Sequence, residues 1–204
     1  MKKRSKYLVN LRPVLYEKFD HEKAEHIVLN AGKIYERLCL ENGQEPRALR
    51  MHTRKRIYPA IAAFQAMLKE DVNRDDAAEI LYGYYEKQSE PLGNVIRNIL
   101  KIPYLYKLVP RFFTQMTKKF FGEAAGFRAK WLSADKNEMR FDMLVCPYQD
   151  ICVRYSCPEI VRSFCRADDI CYGDMHARLH WGRTKTLGLG ADCCDFRLTI
   201  RQVL

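Results

Sequence analysis

The sequence lacks the features that mark several common classes of protein. No apolar run approaches the ~18 residues needed to cross a bilayer, and no apolar signal segment follows the basic first residues. We find no internal repeat, no low-complexity segment and no nucleic-acid-binding motif. We therefore expect a cytoplasmic protein whose partners include neither a membrane nor a nucleic acid.

Closely spaced cysteine pairs of the Cys-x2-Cys type are also missing, although the chain has 8 cysteines. The longer spacings match neither zinc ribbons nor ferredoxins. In a reducing cytosol such thiols serve as core side chains, metal ligands or a nucleophile more often than as disulfides. We predict no cofactor. A zinc ion or iron–sulfur cluster remains an alternative, and its ligands would come from Cys146, Cys157, Cys165 and Cys193.

What the chain does contain indicates one globular domain over residues 1–204. Hydrophobic residues make up 48% of the 204 positions, enough for a substantial core. Apolar residues recur at helical spacing through residues 1–122, and the period changes to strict alternation in residues 123–204. This order predicts an α+β fold, with an N-terminal helical half packed on a C-terminal antiparallel sheet of β-β-α-β-β order. The net charge of +10 favours an anionic small-molecule substrate, and homo-oligomerisation stays open.

Polar caps, prolines and glycines set the expected limits of the helices. We predict an extended leader before Asp20, which starts a long helix that ends at Asn42. Pro59 should kink or restart the second helical region. Asn73 caps the next helix, and a turn at Pro91 separates it from a short apolar helix.

Five segments form the predicted ββαββ part. Residues 127–133 and 139–145 alternate as a β-hairpin. Residues 158–171 follow as a helix. Residues 178–187 and 193–200 then form a second strand pair, joined by a glycine-bearing turn.

Seven of the eight cysteines lie between Cys146 and Asp195. Cys157 precedes Pro158, and proline favours the first position of a helix. A thiol at such an N-terminus has its pKa lowered, and the thiolate is the reactive form. Cys157 is therefore the first candidate nucleophile. Cys146, which also precedes a proline, is a second candidate.

Carboxylates and an arginine in the same stretch supply further candidate groups. Asp168 and Asp169 lie one turn beyond Cys165, where burial would raise a carboxyl pKa and suit it to acid–base catalysis. Tyr172 is nearby. Arg183, on a neighbouring strand, is suited to bind a substrate carboxylate with two hydrogen bonds.

Alternation along the last strand separates its cysteines. Cys194 falls on the core face, whereas Cys193 and Asp195 share the other face, so Cys193 is the third candidate nucleophile. His180 and Asp195 join Arg183 and Tyr172 as candidate substrate-binding residues.

The stretch CPYQDICVRYSCPEIVRSFC, followed by DDICYGD and HWGRTKTLGLGADCCDFR, resembles the C-terminal signature of the L-2-amino-thiazoline-4-carboxylic acid hydrolase family. MHTRKRIYPAIAAFQAML, NILKIPYLYKL and KKFFGEAAGFRAKW extend the resemblance to the helical half. Ser156 and Ala191 stand where the family pattern has glycine. A fainter similarity, limited to the ββαββ part, is to the 4-vinyl-reductase (V4R) small-molecule-binding domains.

The resemblance implies hydrolytic opening of a 2-aminothiazoline ring to a carbamoyl-cysteine. Relatives could act on other cyclic C–N or C–S substrates. In this hypothesis a cysteine thiolate attacks the amidine-like carbon, Asp168 or Asp169 moves protons, and Arg183 holds the substrate carboxylate. Two alternatives remain: a non-catalytic sensor or binding domain of V4R type, and a metal- or cluster-dependent reductase.

Overall fold

The protein is described here by a computed structural model that covers residues 5–201. Within these residues it has an α+β fold of eight α-helices and a four-stranded antiparallel sheet, as predicted. The helices are α1 (Lys6–Lys18), α2 (His21–Glu41), α3 (Arg47–His52), α4 (Tyr58–Lys69), α5 (Arg74–Ile99), α6 (Val109–Phe120), α7 (Pro147–Arg154) and α8 (Val161–Tyr172). The strands are β1 (Arg128–Ala134), β2 (Glu138–Val145), β3 (Leu179–Gly182) and β4 (Cys194–Ile200). Among residues 5–201, no helix combines the length and apolarity needed to cross a membrane.

Two polar caps begin helices where the sequence predicts them. The Asp20 side chain accepts a hydrogen bond from the Lys23 backbone N–H at 2.9 Å and so caps α2. Asn73 does the same for α5 by accepting from the Asp76 N–H at 2.8 Å. The predicted extended leader is wrong within the described residues, because α1 occupies that segment with Pro13 inside it; residues 1–4 lie outside the described part.

The second helical region is interrupted at Pro59, as expected. Residues Thr53–Ile57 form a π-helical turn between α3 and α4. Pro59 has no N–H to continue the α-helical hydrogen bonds, and the wider turn absorbs that break. Helix α4 then runs through the centre of the core, with Ile61, Phe64 and Met67 fully buried.

Pro91 does not end α5, contrary to the prediction of a turn. The Ser89 hydroxyl donates to the Tyr85 carbonyl at 2.7 Å one turn earlier. Gly93 brings α5 against α8, where an added Cβ would lie 3.0 Å from the Ile170 carbonyl oxygen. Tertiary packing against α8 thus carries the helix through the proline.

The sheet has the strand order β1-β2-β4-β3. Met139, Phe141 and Met143 on β2 share the inner face with Cys194 and Leu198 of β4, and these five residues are buried. β3 is shorter than predicted. The strand ends where the chain meets Asp195 of β4. The Asp195 carboxylate accepts hydrogen bonds from the backbone N–H groups of Thr184 and Lys185 and from the Thr184 hydroxyl, and these bonds turn the chain away from the sheet.

Helix α7 is an addition to the predicted β-β-α-β-β order. Pro147 opens it, and Tyr148, Ile151 and Cys152 bury one face at helical spacing. A single 3₁₀ turn, Pro158–Ile160, separates it from α8. The two helices connect the hairpin to β3 and bring Cys146, Cys165 and Asp168 towards the inner face of the sheet.

Candidate functional site

Arg183 is the most tightly held charged group on the inner face of the sheet. Its guanidinium donates from Nη2 to the Cys165 carbonyl at 2.9 Å and to Asp169 Oδ2 at 3.0 Å, and from Nε to Thr186 Oγ1 at 3.1 Å. Its side chain is 7% exposed, and the buried Nη1 has no hydrogen-bond partner. A buried donor without a partner is costly, so Nη1 is the nitrogen of this guanidinium whose hydrogen-bonding capacity is unused.

Asp168 faces this free donor. Its Oδ2 lies 4.0 Å from Arg183 Nη1. Loss of hydration in the protein raises the pKa of Asp168 to about 6. The positive charges of Arg183 and Arg56 oppose this rise, and the negative charge of Asp169 adds to it. The Asp168 side chain nevertheless keeps 40% of its surface accessible to solvent. It can exchange a proton near neutral pH with a small solute that reaches it.

Arg56 approaches Asp168 from the opposite layer. It projects from the π-helical turn and is exposed. Its positive charge acts on Asp168 and on the hydroxyl groups of Tyr148 and Tyr85. The carboxyl of Asp168 therefore lies in the field of two cations, one from the helical half and one from the sheet.

A chain of buried polar groups supports Arg56. His52 Nε2 lies 2.8 Å from the Phe120 carbonyl oxygen, which can only accept, so Nε2 carries the hydrogen. Burial lowers the pKa of His52 and keeps the ring neutral. Its Nδ1 then accepts from the Tyr148 hydroxyl at 3.0 Å. The Tyr148 oxygen is left to accept from Arg56.

Three thiols line the same region. Cys146 precedes α7, Cys165 lies on α8 and Cys194 on β4, and their electrostatic interactions with one another place them close together. Burial raises the pKa of Cys146 to about 11 and of Cys165 to about 12, and it also raises that of Cys194. All three are thus protonated at neutral pH. We call Arg56, Asp168, Arg183, Cys146, Cys165 and Cys194 the inner site.

Aromatic rings extend the inner site along the sheet. Phe113, Tyr172 and Trp181 form edge-to-face contacts with centroids 5.0 to 6.0 Å apart. The Arg183 guanidinium carbon lies 5.1 Å from the Phe196 ring centroid. The Trp181 indole N–H is buried without a hydrogen-bond partner, which gives the wall a second free donor.

The structure brings Cys146, Asp168, Asp169, Tyr172 and Arg183 together, all of which the sequence analysis singled out. It separates Cys157 from them. That thiol is completely buried and contacts the Cys152 carbonyl at 3.4 Å. The helix that follows starts with a 3₁₀ turn of three residues, so Cys157 has neither solvent access nor the start of a regular α-helix. This burial argues against its role as a nucleophile.

The remaining predicted residues lie on the outer face of the sheet. His180 pairs with Thr199 and is exposed. Asp195 is engaged in holding the 184–185 turn. Cys193 lies beside Asp192, Asp142 and Asp195, which together with burial raise its pKa. The hydrogen bonds recorded for Asp195 are with Thr184 and Lys185, outside the inner site.

Cys146, Cys157, Cys165 and Cys193, the ligands of the alternative metal or cluster site, do not form a metal-binding group. In the part of the chain that the structure describes, no three His, Cys, Asp or Glu side chains are arranged to hold a metal ion. The cysteines in residues 5–201 are all free thiols.

Arg56, Tyr148 and His52 were missed from sequence. Arg56 lies in a run of three basic residues that looks like a solvated helical face, and nothing in the sequence marks the π-helical turn. Tyr148 and His52 are apolar-face residues of short helices, and their 3.0 Å contact joins positions 96 apart in sequence.

A sequence profile of the L-2-amino-thiazoline-4-carboxylic acid hydrolase family matches residues 50–198. The chain belongs to this family. The matched segment contains every residue of the inner site and leaves out α1 and α2. The family name is that of a hydrolase. No curated protein sequence matches the chain.

Several solved structures are similar to this chain. A trafficking protein particle complex subunit 3 from Naegleria fowleri, covalently bound to palmitic acid, is 16% identical over 69% of this chain and 89% of that chain, with a TM-score of 0.30. An Fe(II) unliganded H-NOX protein from K. algicida is 11% identical over 99% and 98%, with a TM-score of 0.34. The SO2144 H-NOX domain from Shewanella oneidensis is 7% identical over 95% and 98%, with a TM-score of 0.30. At these scores the likenesses carry no argument about function.

Proposed function

We propose that the inner site hydrolyses a small anionic substrate with a cyclic C–N/C–S unit, such as 2-amino-thiazoline-4-carboxylate, to a carbamoyl-cysteine. The observation that carries the proposal is Asp168, a reachable carboxyl group with a pKa of about 6 between the cations of Arg183 and Arg56. The family to which the chain belongs supports the hydrolytic class.

Arg183 binds the substrate carboxylate in this proposal. Two of its nitrogens are already fixed by Asp169, Thr186 and the Cys165 carbonyl, so its plane cannot rotate. The free Nη1 then offers a charge-assisted hydrogen bond of fixed direction. Arg56, held by Tyr148 and His52, offers a second positive charge from the other side.

Asp168 moves the protons of the reaction. As a carboxylate it takes a proton from water while the water oxygen bonds to C2 of the thiazoline ring and the electron pair of the C2=N3 double bond moves onto N3. The second proton of the water passes to N3 as the C2 hydroxyl becomes a carbonyl. The C2–S bond then breaks, its electron pair goes to sulfur, and Asp168 returns the proton to the sulfur. One water is consumed, C2 becomes the carbonyl carbon of a carbamoyl group on nitrogen, and a free thiol is released. The steps use only water and protein side chains.

Water, and not a cysteine, is the nucleophile in this scheme. A thiol with a pKa near 11, such as Cys146, is almost wholly protonated at neutral pH. The thiols of Cys146, Cys165 and Cys194 instead supply a polarisable wall of low polarity. Such a wall raises the carboxyl pKa of Asp168 and strengthens its pairing with the arginines.

Product analysis tests the proposal. The purified protein is incubated with L-2-amino-thiazoline-4-carboxylate, with its carboxamide analogue, and with cyclic amidines and lactams that carry a carboxylate. Mass spectrometry should detect a product heavier than the substrate by one water, and a thiol reagent should detect one new thiol per turnover. The carboxamide should react far more slowly because it lacks the charge that Arg183 recognises.

A matched pair of arginine variants sharpens the result. Arg183→Gln should lose kcat/KM by about 30-fold or more, the usual loss when a charged hydrogen-bond partner is removed. Arg197→Gln removes an arginine of the outer face, half exposed and 3.3 Å from Glu138, and should leave turnover unchanged. Tight binding of these compounds without any product would contradict the hydrolase assignment and favour a binding domain.

A further inference from the structure

Exposed apolar side chains are concentrated in one segment of the surface. Half of the large hydrophobic residues that are exposed within residues 5–201 fall between positions 92 and 116. Tyr104 is 70% exposed and Leu108 60% exposed. We call the eight residues and their flanking cations the basic apolar surface; its apolar members are Leu92, Val95, Ile99, Ile102, Tyr104, Leu108, Phe112 and Met116.

The charge of this segment has one sign. Residues 91–122 contain no Asp or Glu but six cations: Arg97, Lys101, Lys107, Arg111, Lys118 and Lys119. Within residues 5–201 none of the six forms an ion pair, and those for which a contact is recorded interact with an amide or with aromatic rings. Their charge is therefore available to an outside partner.

The exposed apolar residues continue from the end of α5, through the turn that follows it, onto α6. Tyr104 adopts a left-handed backbone conformation with φ of 64° where the chain turns from α5 towards α6, and Ile102 and Tyr104 stand out at that turn. Leu108, Phe112 and Met116 repeat every four residues and so continue along one side of α6. On the opposite side, Val109, Pro110 and Thr114 are buried against the protein.

We propose that the basic apolar surface binds peripherally to an anionic lipid membrane. Exposed aliphatic and aromatic side chains that alternate along one segment with Lys and Arg fit the boundary between headgroups and acyl chains. A second copy of the chain is disfavoured, because a two-fold contact would place the same six cations against each other. The sequence-based expectation of no membrane partner considered only spanning segments, whereas the property inferred here is surface binding.

Vesicle cosedimentation tests the proposal on the full-length protein. Vesicles of phosphatidylcholine alone are compared with vesicles that also contain phosphatidylserine, at low and at physiological salt. We expect binding to the anionic vesicles that weakens as salt rises, and little binding to phosphatidylcholine alone. Absence of binding to anionic vesicles at low salt would overturn the proposal.

Two variants and their matched controls locate the surface. Lys107→Gln with Arg111→Gln should weaken binding by about fivefold for each cation removed, whereas Lys33→Gln, an exposed lysine on α2, should not. Leu108→Ser with Phe112→Ser should abolish most binding, whereas Leu40→Ser, 81% exposed elsewhere, should not. Equal loss in the controls would overturn the assignment. So would a wild-type dimer that the Leu108/Phe112 variant makes monomeric without any vesicle binding.

Discussion

The pH dependence of hydrolysis gives the sharpest prediction about the inner site. If ionised Asp168 is the general base, kcat/KM must fall on the acid side with an apparent pKa of about 6. Roughly 90% of the carboxyl is then ionised at pH 7 and roughly 10% at pH 5. We therefore expect the rate constant to fall about tenfold between these two pH values, in a buffer series of constant ionic strength.

Charge variants around Asp168 should move this acid limb in opposite directions. The two arginines, Arg183 and Arg56, lower the pKa of Asp168. The carboxylate of Asp169 raises it. Arg183→Gln and Arg56→Gln should therefore shift the limb to higher pH, and Asp169→Asn should shift it to lower pH. At the 4.0 Å that separates Arg183 Nη1 from Asp168 Oδ2, the interaction is about 1 kcal/mol even with the screening of bulk water, or roughly 0.7 pH unit.

The position of the limb, and not the absolute rate, is the measured quantity, because loss of Arg183 also weakens substrate binding. Asp174→Asn is the control, since Asp174 is an exposed carboxylate two residues past α8. An acid limb that stays in place in all three charge variants would refute the assignment of Asp168.

Three further predictions follow from the burial and hydrogen bonding of single residues. Cys146→Ala and Cys157→Ala should both keep the wild-type turnover per folded molecule. Cys157→Ala should also lower the free energy of urea unfolding by about 1 kcal/mol, because packing is lost. A Cys146→Ala protein that is folded but inactive would instead support Cys146 as the nucleophile. Tyr148→Phe removes the hydroxyl between His52 and Arg56, so KM should rise several-fold with little change in the acid limb. Tyr155→Phe, which changes a half-buried tyrosine at the C-cap of α7, should not alter KM. Folding raises the pKa of Asp168, so this carboxyl group contributes its full stabilisation below the unfolded pKa of about 4 and loses it as pH rises through about 6. Asp168→Asn should remove that part of the pH dependence in a series of thermal-unfolding measurements.

The fold class, the hairpin and most helix starts were predictable because their signals are local. Asp20 and Asn73 cap their helices with their own side chains, and alternation along β2 and β4 sets which face is buried. The errors arose where tertiary contacts override a local signal. Helix α5 continues past Pro91 because its next turn packs against α8 through Gly93, a contact between segments far apart in sequence.

The candidate site divides in the same way. Asp168 and Asp169 stood out because burial one turn beyond Cys165 would raise a carboxyl pKa, and Arg183 because a guanidinium on a neighbouring strand can bind a carboxylate with two hydrogen bonds. Cys157 was favoured on a local proline signal, yet the following turn is 3₁₀ and the thiol is buried in the core. Arg56 lies in the π-helical turn that places its charge near Asp168. No residue pattern in the sequence predicts that turn.

The most direct test of the central claim separates binding from turnover in Asp168→Asn. Calorimetric titration measures its affinity for 2-amino-thiazoline-4-carboxylate, and product release is followed for the same preparation beside wild type and Asp174→Asn. We expect Asp168→Asn to bind the substrate at least as tightly as wild type, because a negative charge beside the arginines is gone, while kcat falls by about 10² to 10⁴. Wild-type turnover by a folded Asp168→Asn protein would contradict it.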